Sequence, residues 1–141
     1  MSQKHIKDFD TWNKVKQQTE KGERKVFANP REVWWCSLGV NIGAEIDGKN
    51  DSFERPIIVM RVYNKETMLI LPTTGRAKLN KFHLPLEIES MNKETKEVTG
   101  KTVYVKLTQA RVISNKRLIR KVGVIKKETF QNIQQEFRKF T

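Results

Sequence analysis

The feature that most constrains the fold of this chain is a succession of short β-forming runs, separated by turn residues, in its middle part. The run from Ile57 to Met60 contains no polar residue, which indicates a central strand buried on both faces of a sheet. The other predicted strands are apolar or alternating runs bounded by turn residues. The predicted strands cover residues 33–38, 56–63, 67–71, 82–88, 101–107 and 110–113. A length of 141 residues allows one domain with a real core and little room for a second.

Two amphipathic helices are predicted on either side of this β-rich region. In residues 8–21, Phe9, Trp12 and Val15 recur every three positions, and Gly22 is placed to end the helix. Near the C-terminus, residues 127–140 carry apolar side chains at offsets of three and four, which is typical of a helix docked on a core. These side chains are Phe130, Ile133, Phe137 and Phe140.

The charge balance indicates the kind of partner. The chain has 28 Lys and Arg residues against 16 Asp and Glu residues, which gives a formal net charge of +12. Such an excess usually faces a polyanion, most often nucleic acid. A membrane surface is less favoured, because no apolar run approaches the roughly 20 residues of a spanning helix. The polar N-terminus does not resemble a signal peptide, and Cys36 is a single cysteine, so we expect a cytoplasmic protein.

One pair of motifs suggests chemistry. Arg55 and Pro56 precede the apolar run, and Pro72, Thr73 and Thr74 close the next run. A fixed cation and a hydroxyl presented from the ends of neighbouring strands would suit a phosphodiester. Two His residues and one Cys, without an acidic cluster at ligand spacing, predict no metal site and no cofactor.

The segment before this strand is a predicted loop. Residues 40–53 have no hydrophobic period, and they contain Gly43, Gly48, Asn50 and Asp51. An aperiodic glycine-rich loop ahead of a buried strand is often a functional lid.

Several motifs in one order resemble the MazF/PemK family of toxin endoribonucleases. They are an aromatic-rich strand at residues 32–39, a Gly-x-Glu loop at 41–48, Arg-Pro with a β run at 55–59, Pro-x-Thr at 72–74 and Gln-x-Arg at 109–111. The resemblance runs from about residue 31 to the end of the chain. Thr108 departs from it, because many members carry an acidic residue there.

The resemblance implies a mainly β fold with flanking helices (α+β), namely a small SH3-like barrel at residues 29–141 with a C-terminal helix. Residues 1–28 would be an extra N-terminal helical extension. The implied protein is a homodimer that cuts single-stranded RNA without metal, by attack of the ribose 2′-OH, and that is controlled by an acidic antitoxin. The catalytic Arg falls on Arg55 and the catalytic hydroxyl on Thr74, with Thr73 as the alternative if the register slips by one residue.

Further candidates have competing structural interpretations. Glu45 contacts RNA, orders Arg55 or is simply solvated, while Gln109 and Arg111 face the substrate or cap the sheet edge. His83 is a candidate general acid, or a histidine hydrogen-bonded to backbone. Trp34 and Trp35 point to opposite faces, so one belongs to the core and the other can stack on a base. The candidate contacts to the RNA backbone are Arg76, Lys78, Lys116, Arg117 and Lys121.

Two other function classes remain open. The chain could be a non-catalytic nucleic-acid-binding barrel with the same charge and aromatic residues. It could also be a CcdB-like toxin that acts on a protein, although the intact Arg-Pro and Pro-x-Thr motifs argue against that. We expect the extension to pack through Trp12 on the barrel or on a dimer partner, away from Arg55.

Overall fold

The computed structural model describes residues 6–22, 26–49, 53–91 and 98–141. Within these residues the chain forms two helices, seven strands and a short 3₁₀ turn, Asn115–Arg117. The helices are α1 (Phe9–Lys21) and α2 (Lys127–Arg138). The strands are β1 (Glu32–Ser37), β2 (Glu54–Val62), β3 (Thr67–Thr74), β4 (His83–Met91), β5 (Val98–Lys106), β6 (Arg111–Ser114) and β7 (Leu118–Val124).

All pairings between these strands are antiparallel, and they form one curved sheet in the order β4-β5-β3-β2-β1-β7, with β6 also paired to β3. The end strands β4 and β7 approach each other, so the sheet curls towards a barrel. The mainly β fold with flanking helices is therefore confirmed. Several strand predictions were wrong. β7 was not foreseen, because Arg120 and Lys121 suggested only a charged run, and β3 continues to Thr74 instead of ending at Leu71. β4 continues to Met91 instead of residue 88, and β5 begins at Val98 instead of residue 101.

The core lies on both faces of β2, as the unbroken apolar run predicted. Ile57 and Val59 pack in one hydrophobic cluster, whereas Ile58 and Met60 pack in a second. Ile57, Ile58 and Val59 are completely buried. This strand therefore fixes the centre of the domain and sets the position of the residues at its start.

Helix α2 covers the second cluster. Phe130 and Ile133 are buried there, and Phe137 and Phe140 pack against it partly buried. The helix begins after Lys126 without a side-chain cap, so this tertiary packing stabilises it. None of the described helices is long and apolar enough to cross a membrane.

Helix α1 has one buried residue, Trp12, which packs on the barrel. Asp8 caps its first turn by accepting a hydrogen bond of 3.0 Å from the Thr11 amide. Trp12 is buried, but Phe9 stays 50% exposed, so only part of the predicted apolar stripe is covered. The Trp12 ring lies over Gly39, where a Cβ atom would come within 2.2 Å of the indole. Gly39 also has φ +78°, so both space and backbone conformation require a glycine.

Candidate active site

Arg55 lies near the start of β2, where the buried run holds its backbone. Its Nε donates a hydrogen bond to the backbone carbonyl of Asp47, and Nη1 lies 3.5 Å from the carbonyl oxygen of Thr73. The residue is half-buried. A guanidinium has more N–H donors than these two contacts use, so Arg55 is oriented by the protein while it can still bind an anion.

Thr73 and Thr74 end β3 and pair with Val105 and Tyr104 of β5. The Thr73 hydroxyl is completely buried and donates a 2.7 Å hydrogen bond to the carbonyl of Pro56. The Thr74 hydroxyl instead accepts a 3.3 Å bond from the Arg76 amide, and among the described residues it has no acceptor for its own hydrogen. Because neighbouring residues of a strand face opposite ways, only one of the two hydroxyls can serve a site beside the sheet. The geometry favours Thr74.

Several cations surround Arg55. Lys49 lies in the loop before β2, Arg76 follows β3, and Lys106 ends β5. The positive charge of Arg55 lowers the pKa of both Lys49 and Lys106, and burial is the largest cause of each shift. Lys78 and Lys101 extend this group, because each lowers the pKa of a neighbouring member. We call the group the Arg55 cluster: Lys49, Arg55, Arg76, Lys78, Lys101 and Lys106.

The Arg55 cluster carries an excess of positive charge. Burial lowers the pKa of Arg55, Asp47 opposes that shift, and Arg76 reinforces it. Asp47 is also the one carboxylate, within the described part of the chain, that contributes to the pKa shifts of the cluster. Like charges held together in this way attract an anion that can bridge them.

His83 lies beside this cluster on β4, opposite Lys106. Its Nδ1 is 2.7 Å from the side-chain oxygen of Asn80, and its Nε2 is 3.4 Å from Nζ of Lys106. Burial, followed by Lys106 and Lys78, lowers the pKa of His83, which favours the neutral ring. Of the two predicted interpretations, a hydrogen bond to backbone is wrong, because both ring partners are side chains.

Glu45, Gln109 and Arg111 come together in an open groove of about 600 Å³ between the loop and the start of β6. Gln109 holds the loop: its Oε1 accepts a 2.7 Å bond from the Ile46 amide, and its Nε2 donates to the carbonyl of Ala44. Glu45 accepts a bond of 2.9 Å from the Ile42 amide. One role foreseen for Glu45 was to order Arg55. In the structure the backbone carbonyl of Asp47 orders Arg55 instead.

The predicted RNA-backbone residues divide into two groups. Arg76 and Lys78 belong to the Arg55 cluster. The other three are used in contacts elsewhere: Lys116 Nζ bonds the carbonyl of Glu20, Arg117 Nη1 bonds the carbonyl of Ser37, and Lys121 Nζ is 2.9 Å from the Glu32 carboxylate. Their side chains therefore help to attach α1 and β7 to the barrel.

The two tryptophans of β1 are now distinguished. Trp34 is buried, and its Nε1 donates a 3.0 Å bond to Glu32. Trp35 is half-buried, and the Arg120 guanidinium lies 4.8 Å from its ring centroid. Trp34 is therefore the core residue, while an Arg already occupies one face of Trp35.

Sequence reasoning missed Asp47, Lys49, Lys101 and Lys106. Lys49 and Asp47 lie in a loop without periodicity, Lys106 appears as a polar position of an alternating strand, and Lys101 stands at the start of that predicted strand. Their only sequence signal was the excess of positive charge, which does not identify positions. Within the described ranges, no three His, Cys, Asp or Glu side chains are grouped so as to hold a metal ion.

Fold and site together define a class: a small, curved β-barrel that presents an oriented Arg, a Thr hydroxyl and a cluster of cations at one edge. Residues 29–141 match the model of the PemK-like, MazF-like toxins of type II toxin–antitoxin systems. The chain belongs to this family. No curated protein matches it significantly.

Solved structures with this fold support the assignment of the architecture. The Mycobacterium tuberculosis toxin MazF-mt6 aligns over 78% of this chain and 95% of its own, with a TM-score of 0.56 and 11% identity. MazF from Deinococcus radiodurans aligns over 81% and 96%, with a TM-score of 0.55 and 16% identity. An endoribonuclease in complex with its cognate antitoxin, from Mycobacterial species, aligns over 80% and 93%, with a TM-score of 0.54 and 12% identity.

Proposed function

We propose that this protein is the toxin of a toxin–antitoxin pair and a metal-independent endoribonuclease that cleaves single-stranded RNA. The observation that carries the proposal is the arrangement at the start of β2: the Arg55 guanidinium, held by two backbone carbonyls, at the centre of a cation cluster with little compensating acid. Family membership supports the same reaction class.

The reaction needs no cofactor or oxidant. The ribose 2′-oxygen bonds to phosphorus, the P–O5′ bond breaks, and the proton lost by the 2′-OH is balanced by a proton gained by the 5′-oxygen. The products are a 2′,3′-cyclic phosphate and a 5′-OH. Negative charge grows on the non-bridging oxygens during attack, and a fixed guanidinium stabilises it without reorganisation.

Arg55 and Thr74 have different roles in this proposal. Arg55 supplies electrostatic stabilisation rather than proton transfer, because a guanidinium remains protonated at neutral pH even where burial lowers its pKa. The Thr74 hydroxyl donates a hydrogen bond to the phosphate or orients the 2′-OH. Lys49, Arg76 and Lys101 attract the RNA backbone towards this point.

The test uses a mixed-sequence RNA transcript in excess EDTA. Cut sites mapped on that transcript define a short oligonucleotide, and the same oligonucleotide with one 2′-deoxy nucleotide 5′ of the cut is the matched substrate. We expect cleavage of the all-ribose RNA, with cyclic phosphate ends, and no cleavage of the deoxy version. Full cleavage of the deoxy substrate, or a strict requirement for metal, would refute the mechanism.

A matched pair of variants tests the role of Arg55. Arg55→Lys keeps the charge but loses the planar fork, and we expect its single-turnover cleavage to fall about 100-fold or more. Arg61→Lys, an exposed position on the same strand, should cleave at the wild-type rate. Binding of RNA without cleavage by the wild-type protein would favour the non-catalytic barrel instead.

We also propose an acidic antitoxin and a homodimer. One structure that shares this fold is an endoribonuclease bound to its cognate antitoxin. The net charge of +12 would favour an acidic antitoxin segment that lies across the cation cluster and excludes RNA. Sedimentation analysis tests the dimer, and RNA that stays bound at saturating antitoxin would contradict this inhibition.

A further inference from the structure

The N-terminal segment, which precedes the region matched by the family, reaches the loop that orients Arg55. Nζ of Lys7 donates a hydrogen bond to the carbonyl of Asn41 and lies 3.3 Å from the Asp47 carboxylate. Asp47 is buried, and the Lys7 side chain is 23% exposed. A partly buried ion pair of this kind is screened less than one at the surface.

Asp47 connects this ion pair to Arg55. Its carboxylate accepts a 2.7 Å bond from the Asn41 amide, while its backbone carbonyl accepts from Nε of Arg55. Lys7 thus links two residues of the loop, Asn41 and Asp47, and the carbonyl of Asp47 is the one that holds the guanidinium.

Trp12 fixes the base of the same loop. The amide of Gly39 donates to the carbonyl of Phe53, and the amide of Gly48 donates to the carbonyl of Gly39, so backbone bonds close the loop. The Trp12 ring covers Gly39 and meets the Phe53 ring edge-on at 5.6 Å. The helix therefore contacts the loop at its closed base, and Lys7 contacts it beside Arg55.

We propose that the N-terminal extension is part of the active site, with Lys7 and Trp12 as positioning residues that hold the Asp47 carbonyl where it orients Arg55. The expected effect on cleavage rests on the proposed ribonuclease function. The expected effect on the position of Arg55 does not depend on that function. The inference also replaces the expectation that the extension lies away from Arg55. Without Lys7, the buried Asp47 carboxylate would lose this ion pair and the loop would shift.

The kinetic test uses the full chain and variants matched in charge. Lys7→Gln and Lys14→Gln each remove one positive charge, but Lys14 is exposed on α1 and makes no hydrogen bond or ion pair with Arg55 or with the described residues of the loop. At saturating protein, we expect Lys7→Gln to cleave a mixed-sequence RNA transcript about 10- to 100-fold more slowly than Lys14→Gln, because misplacing a catalytic group is costly. Their RNA affinities should be equal, and Lys7→Arg should restore most of the rate.

A second measurement does not depend on cleavage. The Nε–H group of Arg55 should give a slowly exchanging NMR signal, assigned by its loss in Arg55→Lys. In Lys7→Gln we expect this signal to shift and to exchange faster, while that of Arg31, whose Nε bonds the Ile125 carbonyl at 3.0 Å, stays unchanged. An Arg55 signal unchanged in Lys7→Gln overturns the inference, whatever the rate. If wild-type protein cleaves no RNA, the proposed function fails and this signal alone decides the positioning role.

Discussion

At the scale of single residues, adjacent side chains of one strand have different tasks. Thr73 and Thr74 are chemically identical, yet the Thr73 hydroxyl is consumed by a buried bond to the Pro56 carbonyl, and the Thr74 hydroxyl lies on the side of Arg76. The orientation of Arg55 is likewise determined by the backbone carbonyls that accept hydrogen bonds from its guanidinium. The candidate site therefore depends on hydrogen-bond partners more than on residue type.

Substitution of the two threonines by valine should separate stability from activity. Thr73→Val leaves the buried Pro56 carbonyl without its donor, so we expect a loss of about 1 to 3 kcal/mol in the free energy of unfolding. Thr74→Val should leave the melting temperature nearly unchanged and slow single-turnover cleavage about 100- to 1,000-fold, as for removal of one oxyanion donor. Denaturant melts and cleavage rates check both, and the reverse pattern would assign the catalytic hydroxyl to Thr73.

The lowered pKa of His83 predicts a pH dependence of stability. Burial, Lys106 and Lys78 hold the folded-state pKa below the value of about 6.5 expected in the unfolded chain. Between these two values the unfolded chain binds more protons, so the free energy of unfolding should fall as the pH drops below about 6.5. Urea melts from pH 7.5 to 5 should show a steeper decline for wild type than for His83→Asn. Parallel declines would mean that the histidine is not responsible.

At the scale of elements, direct contacts connect α1, the loop before β2 and the start of β2. The helix contributes little through Phe9 and most through Trp12, which covers a glycine that no other residue could replace. Lys116 and Arg117, from the 3₁₀ turn, also contact the helix, at Glu20 and Trp12 respectively. The guanidinium of Arg117 lies 5.8 Å from the Trp12 ring centroid.

Removal of the Trp12 side chain should therefore affect both stability and cleavage. Truncation of a buried aromatic residue costs about 3 to 5 kcal/mol, so Trp12→Ala should melt several degrees lower. Because the loop loses its cover, we also expect slower cleavage per folded molecule. Phe9→Ala, on the same helix but half-exposed, is the control and should change neither quantity much. A Trp12→Ala protein that cleaves at the wild-type rate per folded molecule would show that the helix does not anchor the loop.

At the scale of the whole molecule, the cations behind the net charge of +12 have different partners. Lys116, Arg117 and Lys121 are committed to internal contacts, whereas the Arg55 cluster concentrates cations with Asp47 as the acid that influences them. Such a distribution favours a phosphate backbone that passes over the end of β3.

Two double variants of equal charge test this distribution. Arg76→Gln with Lys101→Gln removes two exposed members of the cluster, and Lys126→Gln with Lys127→Gln removes two exposed charges at the start of α2. We expect the first to lower the slope of log affinity against log salt by about 0.7 for each phosphate of single-stranded RNA that the protein no longer neutralises. The second should leave the slope near that of wild type. Equal slopes in fluorescence-anisotropy titrations would mean that binding follows net charge alone.

The sequence by itself determined the local features of this protein. The unbroken run from Ile57 to Met60 predicted the buried strand, and the spacing of Phe130 and Ile133 predicted the docked helix. The order of motifs identified Arg55 as a candidate catalytic residue. These features depend on neighbours within a few residues, so a pattern along the chain contains them.

Only the tertiary structure decided which side chains meet. Lys49 comes from the loop before β2, Arg76 from the segment after β3 and Lys106 from the end of β5, and they converge because β3 pairs with both β2 and β5. The bond between Lys7 and Asp47 joins residues 40 positions apart, with α1 and β1 between them in the chain. Such contacts arise from strand order and loop closure, which depend on the free energy of the whole packed domain rather than on any local pattern.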